Sequence, residues 1–285
     1  MAGSMFDWQS LRNSRLFRLS VAFFLIVLLA SALLQLRQPR LDREWRPDQA
    51  HQATISFDGD FVTISHVRDA RYRTTEDYDI AWAPRTYNMS ELRGVDFVVE
   101  PLSETKSGVA HTLYSFDFSG EHLVLSVEAR KTVGEKYGFV RGIMRTMELG
   151  YIFATEEDII GLRAVQRNHS VYVYPINTTP ERAQALFRDV ALRANELAVS
   201  PEFYNTVTRT CTTEVVDRVN SVVPGRVPRW SYRVLMPGYS DELAYEIGLI
   251  DTDLPLDQIR ERYDVSAKVR SYSADKGDFS AWIRS

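Results

Sequence analysis

The sequence predicts an α+β domain behind one N-terminal membrane-spanning helix. Three observations predict it. Residues 19–36, LSVAFFLIVLLASALLQL, carry no charge and stand between Arg18 and Arg37. The remainder mixes strand-like runs, tight turns and capped helical repeats without a regular strand–helix alternation. The composition, 45% hydrophobic and 25% charged with no low-complexity run, is that of a folded globular chain and excludes a disordered or collagen-like one.

The uncharged run comes first. At about 1.5 Å per residue it spans roughly 27 Å, enough for a bilayer core. Arg12, Arg15 and Arg18 precede it and favour a cytoplasmic segment 1–18. The flank beyond has Arg37, Arg40, Arg43 and Arg46, partly offset by Asp42, Glu44 and Asp48. Two readings stay open: an uncleaved signal anchor at 19–36, or a signal peptide with its cleavage site at Ala30-Ser31-Ala32. A soluble core helix fits less well, because the run is apolar on all faces. The leading MAGS resembles an expression leader and is set aside. Residues 37–52 are polar and read as a juxtamembrane linker. Residues 53–285 then form the domain, outside the cytoplasm.

Within that domain, Ala53–Phe57 and Phe61–Ile64 flank Asp58-Gly59-Asp60, a strong hairpin signal. Residues 95–99 (VDFVV) read as a strand. His111–Phe118 and Leu123–Arg130 flank Ser119-Gly120 and predict a second hairpin. Thr155 with Asp158 caps a short helix to about Val165. Ser170–Ile176 is a strand. Thr178 and Glu181 predict a capping box, with Pro180 in the first turn. Ala183, Leu186, Phe187, Val190, Ala194 and Leu197 then recur at helical spacing. Thr210 caps a helix over 211–220, and short helices follow near 240–247 and 256–263.

The net charge of −4 gives no support to a nucleic-acid partner. One cysteine, Cys211, excludes an intrachain disulfide. The five histidines have no metal-ligand spacing to one another or to Cys211, so neither a metal nor another cofactor is expected. Asn88-Met-Ser, Asn168-His-Ser and Asn177-Thr-Thr match the glycosylation pattern and are discounted as chance matches. His51, His66, His122 and His169 read as solvated or structural.

Cys211 falls in the first turn of its helix. Unpaired N–H groups and the helix dipole there favour an anion, which lowers a thiol pKa and suits an oxyanion. The alternative is a small buried hydrophobe. His111 opens a strand whose Thr112, Tyr114, Phe116 and Phe118 share one face. His111, Leu113, Ser115 and Asp117 share the other. A histidine there can reach a thiol brought by a packed helix, or be a hydrogen-bonded structural group. A cysteine–histidine pair also needs a third group to hold the imidazole. Ser126 and Glu128, on the next strand, are placed to lie beside His111. Glu128 can instead pair with Arg130 or Lys131.

Longer blocks carry a resemblance. AHTLYSFDF (110–118), LSVEARKTVGEKY (125–137), MELGYIF (147–153), RANEL (193–197), PEFYNTVTRTCTTEVVDRVN (201–220) and LMPGYSDELAYEIGLID (235–251) occur in this order. Over residues 45–251 the chain resembles the bacterial family of the Lnb N-terminal periplasmic domain, named for a lipoprotein N-acyltransferase. The resemblance implies a permuted papain-like (NlpC/P60-like) thiol domain, with Cys211 as nucleophile, His111 as base and Glu128 as orienting group. Tyr204 and Asn205 would shape the site. Two departures stand out: Thr210 replaces the family's asparagine before the cysteine, and Asp217 or Arg218 replaces a histidine in the next helix. Family acyltransferases also carry further membrane segments, which these 285 residues do not show.

Three functions are consistent with these expectations. One is a cysteine acyltransferase or acyl hydrolase at the bacterial inner membrane, acting on phospholipid or lipoprotein acyl groups. The second is a cell-wall peptide amidase or endopeptidase using the same pair. The third is a non-catalytic periplasmic binding or assembly module.

Overall fold

The computed structural model describes residues 15–103 and 108–285, so Arg12 and most of the expected cytoplasmic segment lie outside the described residues. The chain divides into a unit ending at Pro39 and a unit Arg40–Ser285. Helix α1 (Arg15–Gln35) belongs to the first and buries no residue within the protein. It is long and apolar enough to cross a membrane. It starts before the uncharged run because Arg15 to Arg18 are also good helix formers.

The second unit is built on one sheet. Its strands are β1 (Ile55–Asp58), β2 (Phe61–Tyr72), β3 (Tyr78–Asn88), β4 (Leu92–Pro101), β5 (Ala110–Phe118), β6 (Glu121–Arg130), β7 (Glu148–Thr155) and β8 (Tyr172–Pro175). They lie in the order β1-β2-β7-β6-β5-β4-β8, with β3 paired to β2 outside that path. The β2–β7 pair is parallel and the others are antiparallel. Helices α2 (Phe139–Ile143) and α3 (Glu156–Gly161) flank β7. After β8 come α4 (Pro180–Val199), α5 (Cys211–Val222), α6 (Tyr232–Leu235), α7 (Ser240–Glu246), α8 (Leu256–Tyr263), α9 (Ser266–Arg270) and α10 (Phe279–Arg284).

Both expected hairpins form. Asp58 pairs with Phe61 across a turn whose Gly59 has φ +59°, a conformation glycine adopts at no steric cost. Phe118 pairs with Glu121 across Ser119 and Gly120, both at positive φ. Two strands carry no such signal. β3 is an exposed edge strand interrupted by Pro84, which sits opposite a register shift between Ile64 and Val67. β7 is buried on both faces, so its apolar run lacks the alternation that marks a strand.

Strand alternation sends side chains into two separate layers. Phe97, Tyr114, Phe116, Leu125 and Phe153 pack in the larger core, with Phe187 and Leu197 of α4 and Val215 of α5. Val98, Leu113, Val124 and Ala154 point the other way, against Ile159, Val269, Phe279 and Ile283. All six expected core positions of α4 are buried. Its cap, however, is Thr179 and not Thr178: the Thr179 side chain accepts from the Arg182 N–H. Pro180 at the first helical position dictates this, since it holds the residue before it extended.

The stretch read as a linker packs onto the domain from Arg40 onward. Arg46 N–H donates to the Lys131 carbonyl, Val133 N–H to that of Glu44, and the Gln49 side chain is buried. Arg130 lies over the Trp45 ring, 4.0 Å from its centroid.

Candidate active site

The antiparallel register of β5 and β6 sets the first half of the site. Leu113 pairs with Ser126, so His111 and Glu128 stand one pair further along, on the same face. His111 Nε2 lies 2.8 Å from Ser126 Oγ, and Ser126 Oγ donates to Glu128 Oε1 at 2.6 Å. Glu128 Oε1 is itself 3.3 Å from His111 Nε2. The carboxylate is thus held by the imidazole directly and through the buried serine hydroxyl.

Helix α5 supplies the second half. Thr210 caps it, accepting from Thr213 N–H, while Thr213 Oγ1 accepts in return from Thr210 N–H at 2.7 Å. This reciprocal cap places Cys211 at the first helical position. The helix is fixed to the sheet by the Tyr114 hydroxyl, which donates to the Val215 carbonyl at 2.6 Å. Thr112 and Thr212 hydroxyls meet at 3.0 Å. The Tyr151 hydroxyl donates to Glu214 at 2.7 Å. Cys211 is buried, beside His111 and within reach of the Thr112 backbone N–H.

Electrostatics follow from this placement. Burial pushes the Cys211 thiol up, but the His111 charge, its hydrogen bond, the Thr112 N–H and the Thr212 hydroxyl bring it down to about 7. Burial pulls His111 down, but Cys211 and Glu128 outweigh it and raise the imidazole to about 9. Burial opposes ionisation of Glu128, yet His111, then Lys131 and Arg163, hold it well below the usual carboxylate range. All three shifts run towards the charged forms.

The other expected site residues take supporting places. Tyr204 is buried, its pKa raised by burial and the neighbouring Cys211, and its ring meets Tyr137 edge-on at 6.1 Å. Asn205 serves the loop before α5: its side-chain oxygen accepts from Val207 and Thr208 N–H, both at 2.9 Å. Thr210 is committed to the cap. Asp217 pairs with Arg229 and Arg218 with Asp189.

Sequence reasoning missed the ion network behind Glu128. Arg163, buried, lies 3.5 Å from Glu128 and 2.7 Å from Glu100. Glu100 is the partner of His111 on β4 and also meets His169 at 2.8 Å and Arg167 at 3.2 Å. His169 thus takes a structural role, one of the two readings given to it, while staying partly exposed. A charged residue at the end of the VDFVV run was the available signal, since a strand buried on both faces keeps an acid only with a partner. A second buried group lies on the same face, at the far end of the strands. Asp96, His122 and Glu156 converge as metal ligands do, but Arg284 stands among them, 2.6 Å from Asp96 and 2.6 Å from Glu156.

Comparison with known proteins matches residues 78–238, more than half of the chain, to the family described as the Lnb N-terminal periplasmic domain. No curated protein and no solved structure matches. The matched span contains Cys211, His111, Ser126 and Glu128. The chain therefore belongs to the family of the Lnb N-terminal periplasmic domain.

Proposed function

We propose that the protein is a cysteine acyltransferase or acyl hydrolase, anchored in the bacterial inner membrane by α1 with Arg40–Ser285 in the periplasm. The observation that carries this reading is the thiol at the start of α5 beside an imidazole that Ser126 and Glu128 hold from behind. A histidine on a strand preceding a cysteine on a helix also supports the permuted papain-like reading of the fold.

Chemically, Cys211 Sγ attacks the carbonyl carbon of an ester or amide. The carbonyl electron pair moves to oxygen, where the N–H groups of the first turn of α5 stabilise it. Nε2 of His111 is turned to Ser126 and Glu128, which leaves Nδ1 as the nitrogen this mechanism assigns to the thiol. The imidazolium gives its proton to the leaving alcohol or amine as the tetrahedral intermediate collapses. The product is a thioester on Cys211. Water or an amine, deprotonated by the now neutral His111, then attacks the thioester and restores the thiolate.

An apolar cavity neighbours α5, although neither Cys211 nor His111 lines it. It has a volume of about 110 Å³ and lies between α4, α5 and α7, with Val215, Val219, Leu243 and Ala244 on its walls. Thr212, the residue after Cys211, forms part of the same wall. Asn177, Thr178, Arg182, Arg226 and Ser240 also line it, so the choice between acyl group and peptide is left to the experiment.

The test is to incubate the full chain with phospholipid and, separately, with muropeptides, and to weigh the protein by mass spectrometry. A mass gain of one acyl group, absent in Cys211→Ala, is the expected result. Cleavage of muropeptides without an acyl adduct would replace this reading with an amidase. If Cys211→Ala leaves cellular function intact, the protein is a binding or assembly module.

A further inference from the structure

We propose that residues 131–145 form an interfacial membrane-docking element beside the candidate site, with a phospholipid bilayer surface as its partner. This goes beyond the reading of Cys211 and does not depend on it.

Helix α2 explains how the element is built. Gly142 faces the domain, where an added Cβ would sit 2.0 Å from Thr206 Oγ1, and Thr206 donates to the Phe139 carbonyl at 3.0 Å. With Gly142 turned inward, helical spacing of 100° per residue directs Val140 and Met144 outward and Phe139 and Ile143 to the flanks. All four are exposed: Phe139 by 60%, Val140 by 64%, Ile143 by 42% and Met144 by 40%. Val133 and Tyr137, just before the helix, are exposed as well. Six exposed large apolar or aromatic side chains in twelve residues are more than the scatter usual on a soluble surface.

Three further observations commit this surface to a bilayer. Lys136 and Arg141 are exposed among the apolar residues, Arg141 paired with the one acid, Glu135, while Lys131 is half-buried and Arg145 packs over Phe203. Basic and apolar side chains mixed in this way suit anionic headgroups over an acyl boundary. Next, the tether from the apolar helix is short. Four residues, 36–39, separate Gln35 from Arg40, five Cα–Cα steps and so a reach of about 18 Å at most. Lastly, the chain joins the domain alongside this element. Arg40 N–H donates to Glu148 Oε1 at 3.1 Å, and residues 44–46 pair with 131–133. The same element adjoins the loop before Cys211, through Thr206 and the Tyr137–Tyr204 contact. Docking it on a bilayer would bring the start of α5 to the level where lipid carbonyls lie.

The full chain, with Cys211→Ser to free the thiol chemistry, tests this in nanodiscs holding one copy each. One variant carries Val140→Cys and another Glu121→Cys, each labelled with an environment-sensitive fluorophore. Glu121 lies at the opposite end of β6, about 30 Å from Arg130 along the strand. Nitroxide-labelled phospholipid should quench the label at 140 roughly threefold more than that at 121, and phosphatidylglycerol should increase the difference over phosphatidylcholine alone. Adding Phe139→Ser and Ile143→Ser should remove it. Equal quenching at the two positions overturns the proposal. So does a label at 140 shielded from aqueous iodide but not quenched by lipid, because protein and not bilayer would then cover the surface. Because no variant has the thiol, either outcome leaves the chemistry of Cys211 to its own experiment.

Discussion

Replacing His111 by alanine should restore Cys211 to an ordinary or poorer thiol. In the native protein the imidazole is the largest influence lowering the thiol pKa from 9.0 to about 7, against the opposing effect of burial. At pH 7 about half of the cysteine is then thiolate. Without His111, burial keeps the pKa at or above 9, and the thiolate fraction falls to about 1%, roughly 50-fold lower. Two pKa units correspond to about 2.7 kcal/mol. The rate loss is smaller than the population loss, because a more basic thiolate is more nucleophilic by about 0.4–0.5 log units per pKa unit. The net fall in alkylation rate at pH 7 is therefore roughly 5–8-fold. The midpoint of the pH–rate profile is the sharper readout. Cys211 is the sole cysteine, so iodoacetamide labelling followed by intact mass measures this one group. The native midpoint should lie near pH 7 and that of His111→Ala near or above 9, with unchanged far-ultraviolet circular dichroism. Midpoints within half a unit of each other would refute the coupling of imidazole and thiol.

Other consequences are structural. Phe187 meets Phe116 and Phe118 edge-on, with centroids at 5.0 and 5.5 Å, and is fully buried. Phe187→Ala should cost about 3–5 kcal/mol, read as a lower urea midpoint. Arg284→Ala leaves Asp96 and Glu156 buried without their cation, which should cost about 3–5 kcal/mol; a change under about 1 kcal/mol would show that the cluster is solvated. Glu100 and Glu156 are each lowered from 4.5 to about 2, against burial, by Arg163 and by Arg284. Lowered carboxylates stabilise the fold above pH 4.5 and lose that contribution as pH falls towards 2. Acid titration followed by near-ultraviolet circular dichroism should show cooperative loss in that window, moved to higher pH in Arg284→Ala.

The parts of this fold with local causes were legible in the sequence. Asp58-Gly59 and Ser119-Gly120 declared their hairpins, and Thr155 and Thr210 declared their helix starts, because turns and caps are decided by a few adjacent residues. The period of α4 declared its buried face. The second hairpin register also placed Ser126 and Glu128 near His111, since a two-residue turn fixes which residues oppose each other. What escaped was non-local. β7 lies between β2 and β6 and shows no alternation, because helices cover both its faces. Arg163 and Glu100 become neighbours only through the turn after α3 and the β4–β5 pairing. The Thr178 cap was one residue early because Pro180 sets the helix start more firmly than the box pattern does.

The placement of Arg284 has a consequence for how the protein is made. Its partners Asp96 and Glu156 precede it by 188 and 128 residues. At about 5–20 residues per second, Asp96 is added to the chain roughly 10–40 s before its counter-ion. During that interval the sheet face bearing Leu113 and Val124 also lacks the cover that Phe279 and Ile283 provide. That face of the sheet stays partly uncovered, and its acids uncompensated, until α10 has been made.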